Sequence, residues 1–149
     1  MDTTGTFETA ITLQKHKMLT AIHKFYSIKD WEKNVEKLDP NFISVTVGQS
    51  KEDLQLGQKI FSLNSDIKYL CIDVANGYRE DFINSVKNYR ETFPDKIIIA
   101  GNVATREMTE ALILAGADIV KIGIGPGSVC TTRSVAGVGY PQLSSISEL

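Results

Sequence analysis

Cys130 stands in the segment GIGPGSVCTTR, with Ser128, Thr131, Thr132 and Arg133 close on either side. A thiol amid hydroxyls and three residues from a cation is in surroundings that lower its pKa and favour the thiolate. Covalent catalysis by that thiolate is one reading of the segment. A loop cysteine that merely packs is the other, and spacing alone does not separate them. Cys71 differs, because it lies in the apolar run KYLCIDVA, where a free cysteine behaves as a small buried hydrophobe. Two such thiols suit a reducing cytosol better than a disulfide framework, so the expected location is cytoplasmic.

The stretch from Gly123 to Gln142 holds five glycines and two prolines in twenty residues, too many for the interior of a helix or strand. Such a loop lets backbone N–H groups approach a phosphate, or carbonyls approach a cation. Something rigid must carry it. Five short runs supply candidate strands: LTAIHK (19–24), FISVTVG (42–48), IKYLCIDVA (67–75), KIIIAGNV (96–103) and DIVKIGIG (118–125). They are near-continuously apolar, which suits strands covered on both faces of a parallel sheet.

Between the runs the hydrophobic period becomes helical. Phe82, Val86, Tyr89 and Phe93 form one stripe, and Pro94 stops it. Ser27 with Asp30, and Ser50 with Asp53, have the spacing of capping boxes. Gly116 is placed to end the helix that starts near Thr105. Strand and helix alternate about every 25 residues, the pattern of βαβ units. Polar groups and glycines recur at the strand ends, at His23-Lys24, Gly48-Gln49-Ser50, Asp73 to Gly77 and Gly101 to Thr105. In parallel α/β folds those ends face the substrate.

Two architectures fit. One is an open doubly wound sheet, which 149 residues could complete; the other is a (β/α)₈ barrel, which needs about 250. Length alone leans to the open sheet. The composition, 42% hydrophobic and 23% charged, reads as globular. A net charge of −2 and the lack of any Lys/Arg stripe argue against nucleic acid as a partner. No apolar run nears the roughly 18 residues of a membrane span, and the N-terminus does not read as a signal peptide.

GIGPGSVCTTR followed by AGVGYPQ resembles the active-site loop of the IMP dehydrogenase/GMP reductase family, whose members are (β/α)₈ barrels. MDTTGTF, LTAIHKFYS, CIDVANGY, AGNVATREM and AGADIVKIGIGPGS resemble family segments in the same order, over essentially the whole chain. The resemblance overrides the lean from length: it implies a partial barrel of about five parallel strands with intervening helices, residues 1–149 forming one incomplete domain. IHKFYSIKDW, Asn76-Gly77-Tyr78 and Tyr140 are similar to the reductase branch. Only Asp39-Pro40-Asn41 separates a helix from the next strand, where most dehydrogenases carry a regulatory insertion. AGNVAT and SVAGVG fit either branch.

Carried over residue by residue, the resemblance implies an NADPH-dependent reductive deamination of GMP to IMP and ammonia, in purine nucleotide salvage. Cys130 would form a thioimidate at C2 of the purine, and Thr132 would move protons. Lys24, Asp73, Val74, Ala75, Ile124 and Gly125 match cofactor-contacting positions, and Ser128 matches a nucleotide-contacting one. Gly125, Gly127, Cys130 and Arg133 match a loop that holds a monovalent cation, K+. From spacing alone, Lys24 reads as a solvated rim charge and Val74 and Ala75 as strand packing. His23 and Trp31 are read as structural.

Set against the family pattern, the first strand, strands seven and eight, the phosphate-binding loops and a catalytic glutamate are expected to be missing. The piece alone is therefore expected to be inactive, and the full-length protein to be a homotetramer without membrane contact. Two further readings stay open. One is a dehydrogenase-type barrel without its insertion; the other is an inactive truncated chain that acts only in assembly.

Overall fold

Each apolar run becomes a strand, trimmed by up to three residues at its ends. A computed structural model describes residues 1–149 and every side chain except that of Glu80. The strands are β1 (Thr20–Ile22), β2 (Ile43–Val47), β3 (Tyr69–Asp73), β4 (Ile97–Val103) and β5 (Ile119–Ile122). They form one sheet in the order β1-β2-β3-β4-β5, and β1 runs parallel to β2, as β4 does to β5. A doubly wound sheet reverses its strand order at a switch point, whereas a barrel adds each strand beside the last. The observed order never reverses. It is the barrel's.

The helices are α1 (Phe7–Leu13), α2 (Ile28–Asn34), α3 (Lys51–Leu63), α4 (Glu80–Thr92), α5 (Arg106–Leu114), α6 (Thr132–Val135) and α7 (Gln142–Ser147). None is long and apolar enough to cross a membrane. The chain divides into two compact units, Met1–Cys71 with Asp95–Ile97, and Ile72–Pro94 with Ile98–Leu149.

In the first unit both expected capping boxes form. The Ser27 and Ser50 hydroxyls accept from the Asp30 and Asp53 amides, while each aspartate accepts from its serine's backbone N–H. Two orphan donors are thereby satisfied at each helix start. β2 is buried along its whole length. Trp31 is buried beneath Phe7, whose ring meets it edge-on at 5.2 Å and stacks on Tyr26 at 4.1 Å. The structural reading of Trp31 therefore holds. The helix α1 is an addition to the sequence reading, capped by Thr6, whose hydroxyl accepts from the Thr9 amide at 3.2 Å.

In the second unit Phe82, Val86, Tyr89 and Phe93 are all buried, as their spacing requires. At the end of α5, Gly116 adopts φ +108°. Its N–H bonds Ile113 O at 2.9 Å and that of Ala117 bonds Leu112 O at 3.0 Å, a Schellman ending that only glycine enters without strain. Arg90 of α4 reaches over this corner, donating from Nε to Gly116 O at 2.9 Å and pairing with Asp118. β5 departs from the expectation of strands covered on both faces, because Ile119 is exposed and the next three residues are half-buried. Among the described residues it has a sheet neighbour, β4, on one side only.

Candidate active site

The loop after β5 begins with glycines that the backbone demands. Gly123 has φ +126° and Gly125 φ +53°, both in the left-handed half of conformational space. A Cβ on Gly125 would also sit 3.3 Å from Arg133 Cγ. Three bonds then fix the base of the loop. Asn102 Nδ2 donates to Gly123 O at 2.9 Å, Gln142 Nε2 to Ile122 O at 3.1 Å, and the Tyr140 N–H to Ile124 O at 2.8 Å. Tyr140 also gives its hydroxyl proton to Glu148, a bond that pushes the phenol pKa up. The glycine-free stretch of the loop forms one short helical turn, α6, where the sequence reading had only loop. Without glycine, less backbone entropy is lost in forming it.

Cys130 is exposed on this loop while Cys71 is buried, the contrast their sequence settings imply. Cys130 Sγ lies 3.2 Å from Thr132 Oγ1. Thr132 lowers the thiol's pKa, first through its hydroxyl and then through its backbone N–H, with the Arg133 charge adding a smaller push. The desolvation that opposes the thiolate is outweighed by these local hydrogen bonds. The arrangement is that of a nucleophile with a hydroxyl beside it. Ser128, Gly127 and Arg133 are exposed on the same loop, and Gly127 O accepts from the Cys130 N–H at 3.1 Å. Ile124 is 1% exposed, so its side chain anchors the loop and offers no surface.

Asp73 ends β3, half-buried like Val74 after it, and Ala75 follows. Val74 is locked to β4, its N–H donating to Gly101 O at 2.9 Å and its carbonyl accepting from Asn102 N at 3.0 Å. Ala75 is exposed just beyond. Tyr78 Oη accepts from the Ala104 N–H at 3.0 Å, pinning the loop after β4. Asp73 forms an ion pair with Lys121 of β5. Sequence reasoning gave Lys121 no role, and had Asn102 and Gln142 only within the polar strand ends and the loop, with no partner named. The signal available for Lys121 was a charge inside an apolar strand run. In the first unit, Lys24 is half-buried just beyond β1, and His23 stacks on Tyr26 at 4.0 Å.

The family model described as IMP dehydrogenase / GMP reductase domain matches residues 1–149. The chain belongs to the IMP dehydrogenase/GMP reductase family. Curated relatives include proteins named GMP reductase from Buchnera aphidicola subsp. Schizaphis graminum, 56% identical, and from Vibrio vulnificus strain YJ016, 52% identical. Each match covers 99% of this chain but 43% of the relative. The chain thus spans less than half the length of the family members it matches. A crystal structure of inosine 5′-monophosphate dehydrogenase from Legionella pneumophila superposes with a TM-score of 0.85 at 32% identity, over 99% of this chain and 45% of that one. The expected partial barrel, with its parallel strands and alternating helices, is borne out.

Proposed function

We propose that this chain carries the thiol-bearing part of a GMP reductase, acting with NADPH on GMP to release IMP and ammonia in purine salvage. The observation that supports it most is Cys130 exposed beside Thr132 on a glycine-built loop, in a chain 52–57% identical to proteins named GMP reductase. The Cys130 thiolate attacks C2 of the purine, the C2–N bond breaks, and ammonia leaves with a proton delivered through the Thr132 hydroxyl. A lone threonine is a weak acid and base, so it relays protons rather than supplying them. A thioimidate remains, which splits one difficult displacement into two easier steps. After C2 is reduced, the C–S bond breaks and Cys130 departs as thiolate.

NADPH would supply the hydride, with its nicotinamide end along Asp73, Val74 and Ala75 and, of Ile124 and Gly125, beside the backbone only. The exposed Ala75 and half-buried Val74 leave a surface there for a flat ring. Lys24 suits the anionic groups of the same cofactor, and Ser128 suits the nucleotide. The carbonyls of Gly125, Gly127 and Cys130, with Arg133 beside them, fit K+. Carbonyl oxygens replace the hydration shell of a monovalent ion. No cluster of three His, Cys, Asp or Glu side chains exists among the described residues to hold a divalent metal. The full-length enzyme is a cytoplasmic homotetramer in this reading.

The test is a chimaera in which residues 1–149 replace the matching segment of the Vibrio vulnificus relative. Oxidation of NADPH that requires GMP, is abolished by Cys130→Ala and survives Cys71→Ala is the expected result. Reduction of NAD with IMP instead would establish the dehydrogenase reading, which the Legionella neighbour favours. No turnover with either pair would leave only the assembly role.

A further inference from the structure

We infer that Lys121 is a positioning residue for Asp73, setting the carboxylate at the cofactor end of the site. This rests on the functional reading above, in which Asp73 meets the cofactor. The two residues are not neighbours in the sheet. Asp73 ends β3 and Lys121 lies on β5, so their ion pair spans the whole width of β4, about 10 Å of sheet. An extended lysine covers that distance only if nothing on the middle strand stands in its way.

The middle strand is shaped to allow it. Gly101 is the residue of β4 in register with Lys121. A Cβ there would fall 2.6 Å from both Lys121 Cβ and Lys121 O, so the lysine stem occupies the place of the missing side chain. Beyond Gly101 the register slips, and Val103 pairs with Ile122. Asn102 is thereby left outside the pairing and binds the carbonyl of Gly123. One irregular stretch of β4 thus lets Lys121 cross to Asp73 and also ties down the loop that bears Cys130.

Exposure argues for a role beyond holding the strands together. The two side chains are 31% and 37% exposed, so the pair lies at the sheet's rim and not in its dry interior. A rim pair formed between flexible, solvated side chains contributes little to stability. This one is guided by a glycine track and fixes the Oδ1 atom of Asp73. Holding one oxygen sets the direction of the other, which is how a second residue orients a carboxylate that must meet a ligand.

The experiment is a double-mutant cycle in the chimaera, with Lys121→Met, Asp73→Asn and both together, alongside Lys121→Arg. The readouts are NADPH affinity by nucleotide fluorescence, kcat/KM for NADPH, and GMP affinity. Lys121→Met should weaken NADPH use roughly tenfold or more, the size of a lost bond to a charged group, with GMP affinity unchanged. Lys121→Arg should restore most of the loss. In the Asp73→Asn background, Lys121→Met should add less than about threefold, because its effect passes through the carboxylate. A full multiplicative loss in that background, or a matching loss of GMP affinity, overturns the inference. A parent chimaera that binds NADPH yet reduces nothing removes the activity proposed above but leaves the cycle readable by fluorescence. A parent that does not bind NADPH removes both.

Discussion

Gly101→Ala should loosen the edge of the sheet where the site is built, and the size of the effect follows from the contacts. The new methyl carbon would lie 2.6 Å from Lys121 Cβ and 2.6 Å from Lys121 O. Unstrained carbon atoms keep about 3.5 Å, so β5 must back away by roughly 0.9 Å. That is about a fifth of the spacing between strands. Neither obstacle is the free end of a long side chain, so the strain cannot be shed by a rotamer change. Overpacking of this kind costs about 2–3 kcal/mol. Replacing glycine stiffens the unfolded chain and returns about 0.4–1 kcal/mol. The net loss is about 1–2.5 kcal/mol, or roughly a five- to seventyfold rise in local opening.

Hydrogen exchange in the chimaera measures this without assuming that a large protein unfolds in two states. The amides of β4 and β5 should lose protection by that factor, and NADPH affinity should fall with them as Lys121 is displaced. Gly127→Ala is the control, because a Cβ there meets nothing within 4 Å, and strand protection should not change. If Gly101→Ala leaves the strand amides within threefold of the parent and NADPH affinity unaltered, Lys121 does not lie across Gly101 as described.

Three further outcomes test other parts of the site. Thr132→Val removes the hydroxyl that most lowers the Cys130 pKa, so the midpoint of its alkylation-rate profile should move up in pH, towards that of an ordinary thiol near 8.5. Site-resolved mass spectrometry reads this, and an unmoved midpoint would remove Thr132 from the thiol's chemistry. Lys24→Ala should weaken NADPH binding roughly ten- to a hundredfold with GMP binding kept; unchanged cofactor affinity returns Lys24 to a solvated rim charge. Arg90→Ala strips Gly116 O, Pro94 O and Asp118 of a cationic donor. Protection at the α5–β5 corner should fall by about 2–3 kcal/mol, and a loss under 0.5 kcal/mol would show the corner to be held by its Schellman bonds alone.

What was legible in the sequence was local in the chain. The Ser27–Asp30 and Ser50–Asp53 boxes, the Gly116 ending and the Phe82 to Phe93 stripe each need residues at most a few turns apart, and each is present as read. The contrast between Cys71 and Cys130 was legible for the same reason, since an apolar strand and a glycine loop announce opposite exposures. Lys121 and Asp73 are 48 positions apart, and nothing in either segment names the other. Only strand order and register bring them together. Asn102 stood among the polar strand ends, but its grip on Gly123 depends on a slipped register that residue types do not encode. The helix α1 escaped because its seven residues are too few to show a period. Whether the sheet opens or closes was also beyond periodicity, since both architectures alternate strand and helix. The resemblance to the family chose between them, and the unreversed strand order agrees.

Reactivity and turnover should come apart in the 149-residue chain. The thiol is tuned by Thr132, two residues away, and by Arg133, one further. The base of its loop is tied by Asn102, Tyr140 and Gln142, all of this chain. Cys130 gains its acidity without burial, so covering the site is not what makes the thiolate. Turnover in the proposed reaction asks for more, because it would need GMP and NADPH held together in near-attack geometry. Such positioning is worth many powers of ten, and the chain spans 43% of the relatives that carry the name GMP reductase. The chain alone should therefore alkylate at Cys130 with the same pH midpoint as the chimaera, while oxidising no NADPH in the presence of GMP. A midpoint shifted to that of an ordinary thiol would show that the thiolate depends on residues beyond these 149. Turnover by the chain alone, lost in Cys130→Ala, would show that positioning does not.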